Sequence, residues 1–397
     1  MNEKGAPMRH AFTALILLVA ALQPATGEPV TGTPASISAP DGTKLAATYY
    51  SGEKPGPGVL LLHQCNKDRS SWNTLAEKLA SAGFHVLTVD FRGYGESGGK
   101  RHVDLTDDAR VKLVTGVWPG DVDAAFAYLR AQPGVREVYG AGGASCGVNQ
   151  SIQLSRRHPE VKSLVLLSGN TDKAGRQHLA SKSSPPLMIA AADDDNGIVE
   201  TMVWIDASSG NPTNRFDEYK TGGHGTELFA PHPELPGEIV AWYEATLSGK
   251  GKPASTPNQA RRDSPRVRIL MMTDQPDGYA RVLEALTAQG RKDPKSPILE
   301  AQFVNYLGYL AIQSGDAKDA IALMQLNVDA RPASSNAWDS LADAYLAAGD
   351  RDKARAASEK ALKLVDADTA EPEERHKLIR ESAQGRLDQL KATPTPK

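Results

Sequence analysis

From Val59 to Tyr219 the chain alternates short apolar runs with longer stretches of helical period, and few folds accommodate that alternation. Val59-Leu60-Leu61-Leu62, His85-Val86-Leu87-Thr88-Val89, Glu137-Val138-Tyr139 and Ser163-Leu164-Val165-Leu166-Leu167 read as strands, and Leu187-Met188-Ile189-Ala190 and Arg215-Phe216-Asp217-Glu218-Tyr219 continue the series. A strand with one wet face alternates apolar with polar residues. Unbroken apolar runs instead predict strands covered on both faces, as in a parallel sheet. The amphipathic stretches 72–82 and 121–131 lie between strands and read as crossover helices. The expected class is α/β, a doubly wound sheet with its site at the strand C-termini.

Gly143-Ala144-Ser145-Cys146-Gly147 follows one apolar run and precedes a helical pattern. This is the G-x-S-x-G spacing of a nucleophile elbow. A serine on a strained strand-to-helix turn exposes its hydroxyl, and the flanking glycines let the backbone pass close to its neighbours. Alone the motif is common. Here Asp193-Asp194-Asp195 follows a later apolar run, and His224 follows that within Gly222-Gly223-His224-Gly225.

A serine hydroxyl attacks a carbonyl poorly until a base removes its proton, and His224 is placed to be that base. Its imidazole needs a carboxylate to fix its tautomer and balance the charge it acquires. Asp194 is the first choice for that carboxylate, with Asp195 the serious alternative and Asp193 a weaker one. Acyl transfer also needs rigid donors aimed at the developing oxyanion. The backbone amide of Cys146 is one. The second is expected from His63-Gln64-Cys65-Asn66, with Gln64 the first choice and Cys65 the second. His63 reads as a brace for that loop, and Asp90-Phe91-Arg92-Gly93-Tyr94-Gly95-Glu96-Ser97 as a tight scaffold turn.

Residues 90–97, the Ser145 elbow and the Gly-His-Gly after the last strand resemble an α/β-hydrolase, closest in style to the dienelactone hydrolase-like group. The resemblance covers roughly residues 37–247 and implies an eight-stranded sheet with a Ser145, Asp194, His224 triad. Two departures bear on chemistry. Dienelactone hydrolases proper use a cysteine nucleophile where this chain has Ser145, and many relatives have glycine where it has Gln64. The first moves the expectation toward serine esterase chemistry. About fifty residues separate Ser145 from Asp194, so no large lid fits there; the connection 100–118 is the longest left to edge the pocket.

The two cysteines, Cys65 and Cys146, both fall on the predicted oxyanion loops. If those loops meet over the substrate carbonyl, the Cα atoms fall within the roughly 4.4–6.8 Å a disulfide needs. The alternatives are two buried thiols that never bond, or Cys146 as nucleophile, which the glycine spacing disfavours.

Lys4 and Arg9, an apolar stretch over 11–22 and small residues near Gly27 read as a secretory signal over 1–27, making the mature protein periplasmic or secreted. The hydrolase domain is expected over 28–250. Over 251–296 the composition predicts a linker and a connecting helix, and over 297–397 an all-helical domain. There Gly315-Asp316 and Gly349-Asp350 recur at an offset of 34 residues, the period of a tetratricopeptide repeat. Leu307, Gly308 and Ala320 then align with Leu341, Ala342 and Ala354, with Trp338 and Tyr345 in the second copy. Two copies need flanking helices such as 371–390 to close their core.

With 40% apolar and 23% charged residues and a formal net charge of −3, the composition is that of a folded protein without a field for nucleic acid. The apolar stretch over 11–22 is too short to span a bilayer comfortably, and no other segment is long and apolar enough to do so. No metal-ligand spacing or phosphate-cradling loop appears, so no cofactor is expected. The expected function is an exported serine hydrolase acting on a small ester-like substrate, less readily a thioester or amide, with a protein partner or self-association through the repeats. The alternative is a hydrolase-fold scaffold that binds a partner and catalyses nothing.

Overall fold

The computed structural model describes residues 30–253 and 263–392. The signal read at 1–27, and Arg261 and Arg262 of the predicted linker, lie outside the described residues.

Eight strands form one sheet in the order β1-β2-β4-β3-β5-β6-β7-β8. They are β1 (Thr33–Ser38), β2 (Lys44–Tyr50), β3 (Gly56–Leu62), β4 (His85–Val89), β5 (Val135–Ala144), β6 (Val161–Leu167), β7 (Leu187–Ala192) and β8 (Arg215–Tyr219). The six from β3 onward run parallel, whereas β2 pairs antiparallel with β1 and β4. The six runs read as strands in the sequence are the six parallel strands, although the edge strand β8 is charged and only partly buried. The two antiparallel strands are not visible that way, because the outer strand Thr33–Ser38 is polar and mostly exposed, and an edge strand has few buried neighbours to satisfy.

The period-two geometry of a strand divides each apolar run between two cores. Leu60 and Leu62 face one side with Phe126 of α3 (Trp118–Arg130) and Val148 and Ile152 of α4 (Cys146–Arg157). Val59 and Leu61 face the other with Leu75 and Leu79 of α1 (Asn73–Ser81) and Ile239, Trp242 and Tyr243 of α7 (Leu235–Leu247). The doubly wound α/β sheet is therefore as expected. The long connection before α3 holds α2 (Asp107–Lys112) and a π-helical turn (Leu113–Val117); α5 (Lys173–Leu179) and α6 (Ile198–Ser208) flank β7.

From Pro265 the described chain is all helical: α8 (Pro265–Thr273), α9 (Gly278–Lys292), α10 (Ala301–Gln313), α11 (Ala317–Ala330), α12 (Ser335–Ala347), α13 (Arg351–Leu364) and α14 (Glu373–Ala392). Helices α10–α11 and α12–α13 are two hairpins whose turns both carry a glycine in the left-handed region, Gly315 at φ 81° and Gly349 at φ 78°. Gly308 lets Met324 lie against the helix backbone. The guanidinium of Arg386 in α14 is buried and donates to Asp339 and Ser358, both at 3.0 Å. A buried charge so fully partnered seals the end of the stack.

The region 251–296 differs from a linker with one connecting helix. It carries both α8 and α9, and α8 is a packed element: Val267 enters the sheet's core, while Ile269 and Leu270 enter the core of the C-terminal helices. Trp204 of α6 belongs to that second core too.

Candidate active site

Ser145 lies between β5 and α4 with φ 50° and ψ −112°, a conformation few non-glycine residues adopt. The neighbours force it. A Cβ on Gly143 would overlap the Gly147 carbonyl, and one on Gly147 would overlap the Leu62 carbonyl at the end of β3. The Ser145 amide is anchored to the Leu167 carbonyl of β6 at 2.9 Å. Both glycines of the motif are thus needed for the turn to fit between two strands. Cys146 opens α4, so its N–H has no intrahelical acceptor.

His224 sits where β8 gives way to a short 3-10 turn (Gly225–Phe229). Its Nδ1 lies 2.7 Å from Asp195 Oδ2. A carboxylate accepts, so the ring proton is on Nδ1 and Nε2 carries the lone pair. The His224 N–H donates to Glu227 Oε2 at 3.1 Å, and Lys67 pairs with that glutamate at 3.1 Å. These two contacts hold the Glu227 carboxyl below its usual range, the backbone bond being the larger cause.

The carboxylate that meets His224 is that of Asp195, not Asp194. After β7 the chain makes a tight turn, with Asp195 N–H on the Ala192 carbonyl at 3.2 Å. That turn aims successive side chains in different directions. Asp194 accepts the backbone amides of Gly222 and Gly223 at 3.1 Å and so anchors the histidine loop. Asp193 pairs with Lys220 at 2.8 Å. Counting from a strand end does not resolve which of three adjacent acids a turn points inward.

Gln64 contributes through its side chain as well as its place in the loop. It is fully buried. Its Oε1 accepts the Thr226 N–H at 2.8 Å and hydroxyl at 2.9 Å, while Nε2 donates to Asn66 Oδ1 at 2.8 Å and the His224 carbonyl at 3.1 Å. Gly225 is obligatory beside it, since a Cβ there would run into the Gln64 amide and approach Ala144. The histidine loop therefore rests against the strand that ends in the elbow. Thr226 and Glu227 were missed from the sequence; a glutamate three residues after a helix-opening residue is a capping spacing that points to Glu227.

His63 braces the loop as expected. Its Nδ1 donates to the Gln64 carbonyl at 2.8 Å, and its Nε2 accepts the Phe91 N–H at 2.9 Å. Burial pushes this imidazole below its usual pKa. The Gln64 carbonyl is thereby turned toward His63, and because the peptide is trans the Cys65 N–H points the opposite way. His63 also touches Tyr94, and Tyr94 in turn His102, with ring centroids 5.2 Å apart in each pair. The connection after residue 100 thus lies beside the loop.

Cys65 and Cys146 are joined in a disulfide, with Cα atoms 5.7 Å apart. The loop after β3 is consequently held from two sides: by Gln64 to the histidine loop and by Cys65 to the residue after Ser145. The turn 90–97 is scaffold. Asp90 is buried, accepts the Arg69 N–H at 2.8 Å and the Glu96 N–H at 2.9 Å, and pairs with the Arg69 guanidinium. His376, by contrast, is a structural histidine of the C-terminal helices, buried with its Nε2 2.8 Å from the Asp368 carbonyl.

Among the described residues no cluster of His, Cys, Asp and Glu has the arrangement of a metal site, and no helix is long and apolar enough to cross a membrane.

A strand-to-helix serine, a histidine after the last strand and an acid after the strand before it, on a sheet of this order, define the fold of the α/β hydrolases. Residues 57–197 match the family model described as the alpha/beta hydrolase fold. A thiohydrolase of Aspergillus aculeatus, aneE, is 32% identical over 109 residues, covering 26% of this chain and 31% of its own. An uncharacterised protein of Mycobacterium tuberculosis is 29% identical over 184 residues, 40% of this chain and 60% of its own. The chain thus spans less than two thirds of either relative. Among solved structures, the Pyrococcus furiosus esterase Pf2001 is 18% identical with a TM-score of 0.45, over 55% of this chain and 94% of that one. The dienelactone hydrolase of Anabaena variabilis is 17% identical with a TM-score of 0.44, over 55% and 98%.

Proposed function

We propose that this protein is a serine hydrolase that cleaves a small ester through an acyl-enzyme. The observation that carries the reading is the pairing of Ser145, forced into the left-handed region at a glycine-flanked elbow, with a His224 whose tautomer is fixed by Asp195. Ser145 Oγ attacks the carbonyl while His224 Nε2 takes its proton, and Asp195 stabilises the imidazolium that forms. The Cys146 N–H and a donor from the Gln64-Cys65 loop receive the oxyanion. Collapse expels the alcohol, protonated by His224, and water then repeats the sequence on the acyl-serine. A thioester would follow the same course, and the name of the Aspergillus relative makes it the second substrate class to try.

Export is part of the proposal. The pattern over 1–27 supports it, and so does a disulfide, which persists in oxidising compartments. Reading α10–α13 as two tetratricopeptide repeats rests on the 34-residue offset and the matched glycine turns. A protein partner or self-association through them belongs to the same proposal.

The test is fluorophosphonate labelling of the purified mature protein beside Ser145→Ala and His224→Ala. Labelling of wild type that both variants lose is expected. A wild type that does not label overturns the reading in favour of a repeat-bearing scaffold.

A further inference from the structure

The chain between β6 and β7 is short and holds only α5, so the hydrolase sheet builds little over the β6 side of its own site. The C-terminal helices come to that side. The loop 168–172 leaves β6, the strand beside the elbow, and a Cβ on Gly169 would press on the Ser145 carbonyl and on Val148. Asn149, one turn beyond Ser145 on α4, accepts the Thr171 hydroxyl at 2.7 Å through its Oδ1. Asn170 accepts the Thr171 N–H at 2.7 Å and donates its Nδ2 to Tyr306 Oη at 2.9 Å. Tyr306 lies on α10. One hydrogen-bonded series thus runs from the nucleophile's helix, through the loop beside the nucleophile, into the C-terminal helices.

The helices are firmly docked where this contact is made. Arg176 of α5 is buried, pairs through Nε and Nη2 with Asp274 at 2.8 and 2.9 Å, stacks at 3.5 Å on the Trp204 ring and donates to the Thr171 carbonyl. Trp204 Nε1 donates to the same Asp274 at 3.0 Å. A planar guanidinium held in a bidentate pair and stacked on an indole leaves little freedom. The loop 168–172 is therefore fixed from outside the hydrolase sheet, at Asn170 by Tyr306 and at Thr171 through Arg176.

We propose that Tyr306 is a positioning residue for catalysis: through Asn170 it holds the loop beside Ser145, so that the C-terminal helices supply a fixed wall of the substrate cleft. This rests on the serine hydrolase reading above. A wall formed by this loop and held by α10 selects among acyl or alcohol groups by shape, so its loosening alters the ranking of substrates as well as the rate.

Tyr306→Phe keeps the ring and removes the hydroxyl, and Asn170→Ala removes the other partner. Both are tested in the full mature chain, singly and together, with p-nitrophenyl acetate and butyrate, alongside amide hydrogen exchange of the peptide containing 168–172. Expected are faster exchange in that peptide, a kcat loss on the order of tenfold with an altered acetate-to-butyrate ratio, and no added loss from Tyr306→Phe once Asn170 is Ala. Unchanged exchange, kcat and substrate ratio in Tyr306→Phe overturn the proposal. Full additivity in the double variant overturns it too. A wild type that neither hydrolyses nor labels overturns the hydrolase reading and the catalytic half of this inference, while hydrogen exchange still decides whether Tyr306 holds the loop.

Discussion

Gln64 Oε1 accepts both the N–H and the hydroxyl of Thr226, at 2.8 and 2.9 Å, across 162 residues of sequence. The loop that follows the third strand and the loop that carries the histidine are thereby one assembly. Gln64→Leu keeps much of the volume but leaves the Thr226 donors and the His224 carbonyl without a buried partner. The expected loss is about 2–4 kcal/mol of stability, with kcat falling as His224 drifts. Urea unfolding and ester turnover of the variant measure both, and unchanged turnover would show that the strap does not position His224.

Asp195→Asn and Asp194→Asn separate two adjacent acids by role. Asp195→Asn replaces the carboxylate facing His224 Nδ1 with an uncharged amide that no longer enforces the tautomer or balances the imidazolium, and is expected to lower kcat by roughly 10³–10⁴ with little change in fold. Asp194→Asn weakens an exposed anchor on Gly222 and Gly223 and is expected to cost under about 1 kcal/mol, with turnover reduced modestly. The reverse ranking would return the triad role to Asp194.

Gly147→Ala places a methyl on the Leu62 carbonyl, and that atom belongs to a buried strand with no room to shift. A loss of about 2–4 kcal/mol and of fluorophosphonate labelling is expected. Thermal unfolding and labelling check it. A variant as stable and reactive as wild type would mean that the elbow is looser than this geometry allows.

The Cys65–Cys146 bond closes a sequence separation of 81 residues. Loop-closure entropy for a span of that size predicts about 4.5 kcal/mol of stability lost on reduction. Ser145 labelling should slow at the same time if, as proposed, the bonded loops carry the oxyanion donors. Urea midpoints and labelling rates with and without a phosphine reductant test this; two alkylable thiols in the unfolded, unreduced protein would refute the bond itself.

His63 ties stability to pH. Burial holds its folded pKa below the usual 6.5, so beneath that pH the unfolded chain binds the proton that the native state refuses. The stabilisation is complete above about pH 6.5 and declines as pH falls below it. His63→Gln should be less stable throughout and show a shallower decline between pH 7.5 and 5.5. Part of the slope remains, since His85, His102 and His178 are also pushed down by burial. Equal slopes in the two proteins, read from urea midpoints, would remove His63 from that role.

By itself the sequence determined whatever depends on local pattern and order. Six strand-like runs made the parallel sheet legible, four of them nearly continuous in apolar residues because a strand covered on both faces has few polar positions. The glycines at 143 and 147 marked the elbow, because no side chain fits there, and Ser145 and His224 followed. Tertiary structure decided what depends on direction. The polar strand Thr33–Ser38 exists only because an edge accepted it. Asp195, not Asp194, meets His224 because a turn aims neighbouring side chains apart. Gln64 straps the histidine loop and Tyr306 reaches Asn170, each across a distance in sequence that no spacing encodes, whereas the Cys65–Cys146 pairing was already open in the sequence, which put both cysteines on the expected oxyanion loops. Periodicity records which side of an element is buried; which partner lies there is decided only when the elements pack.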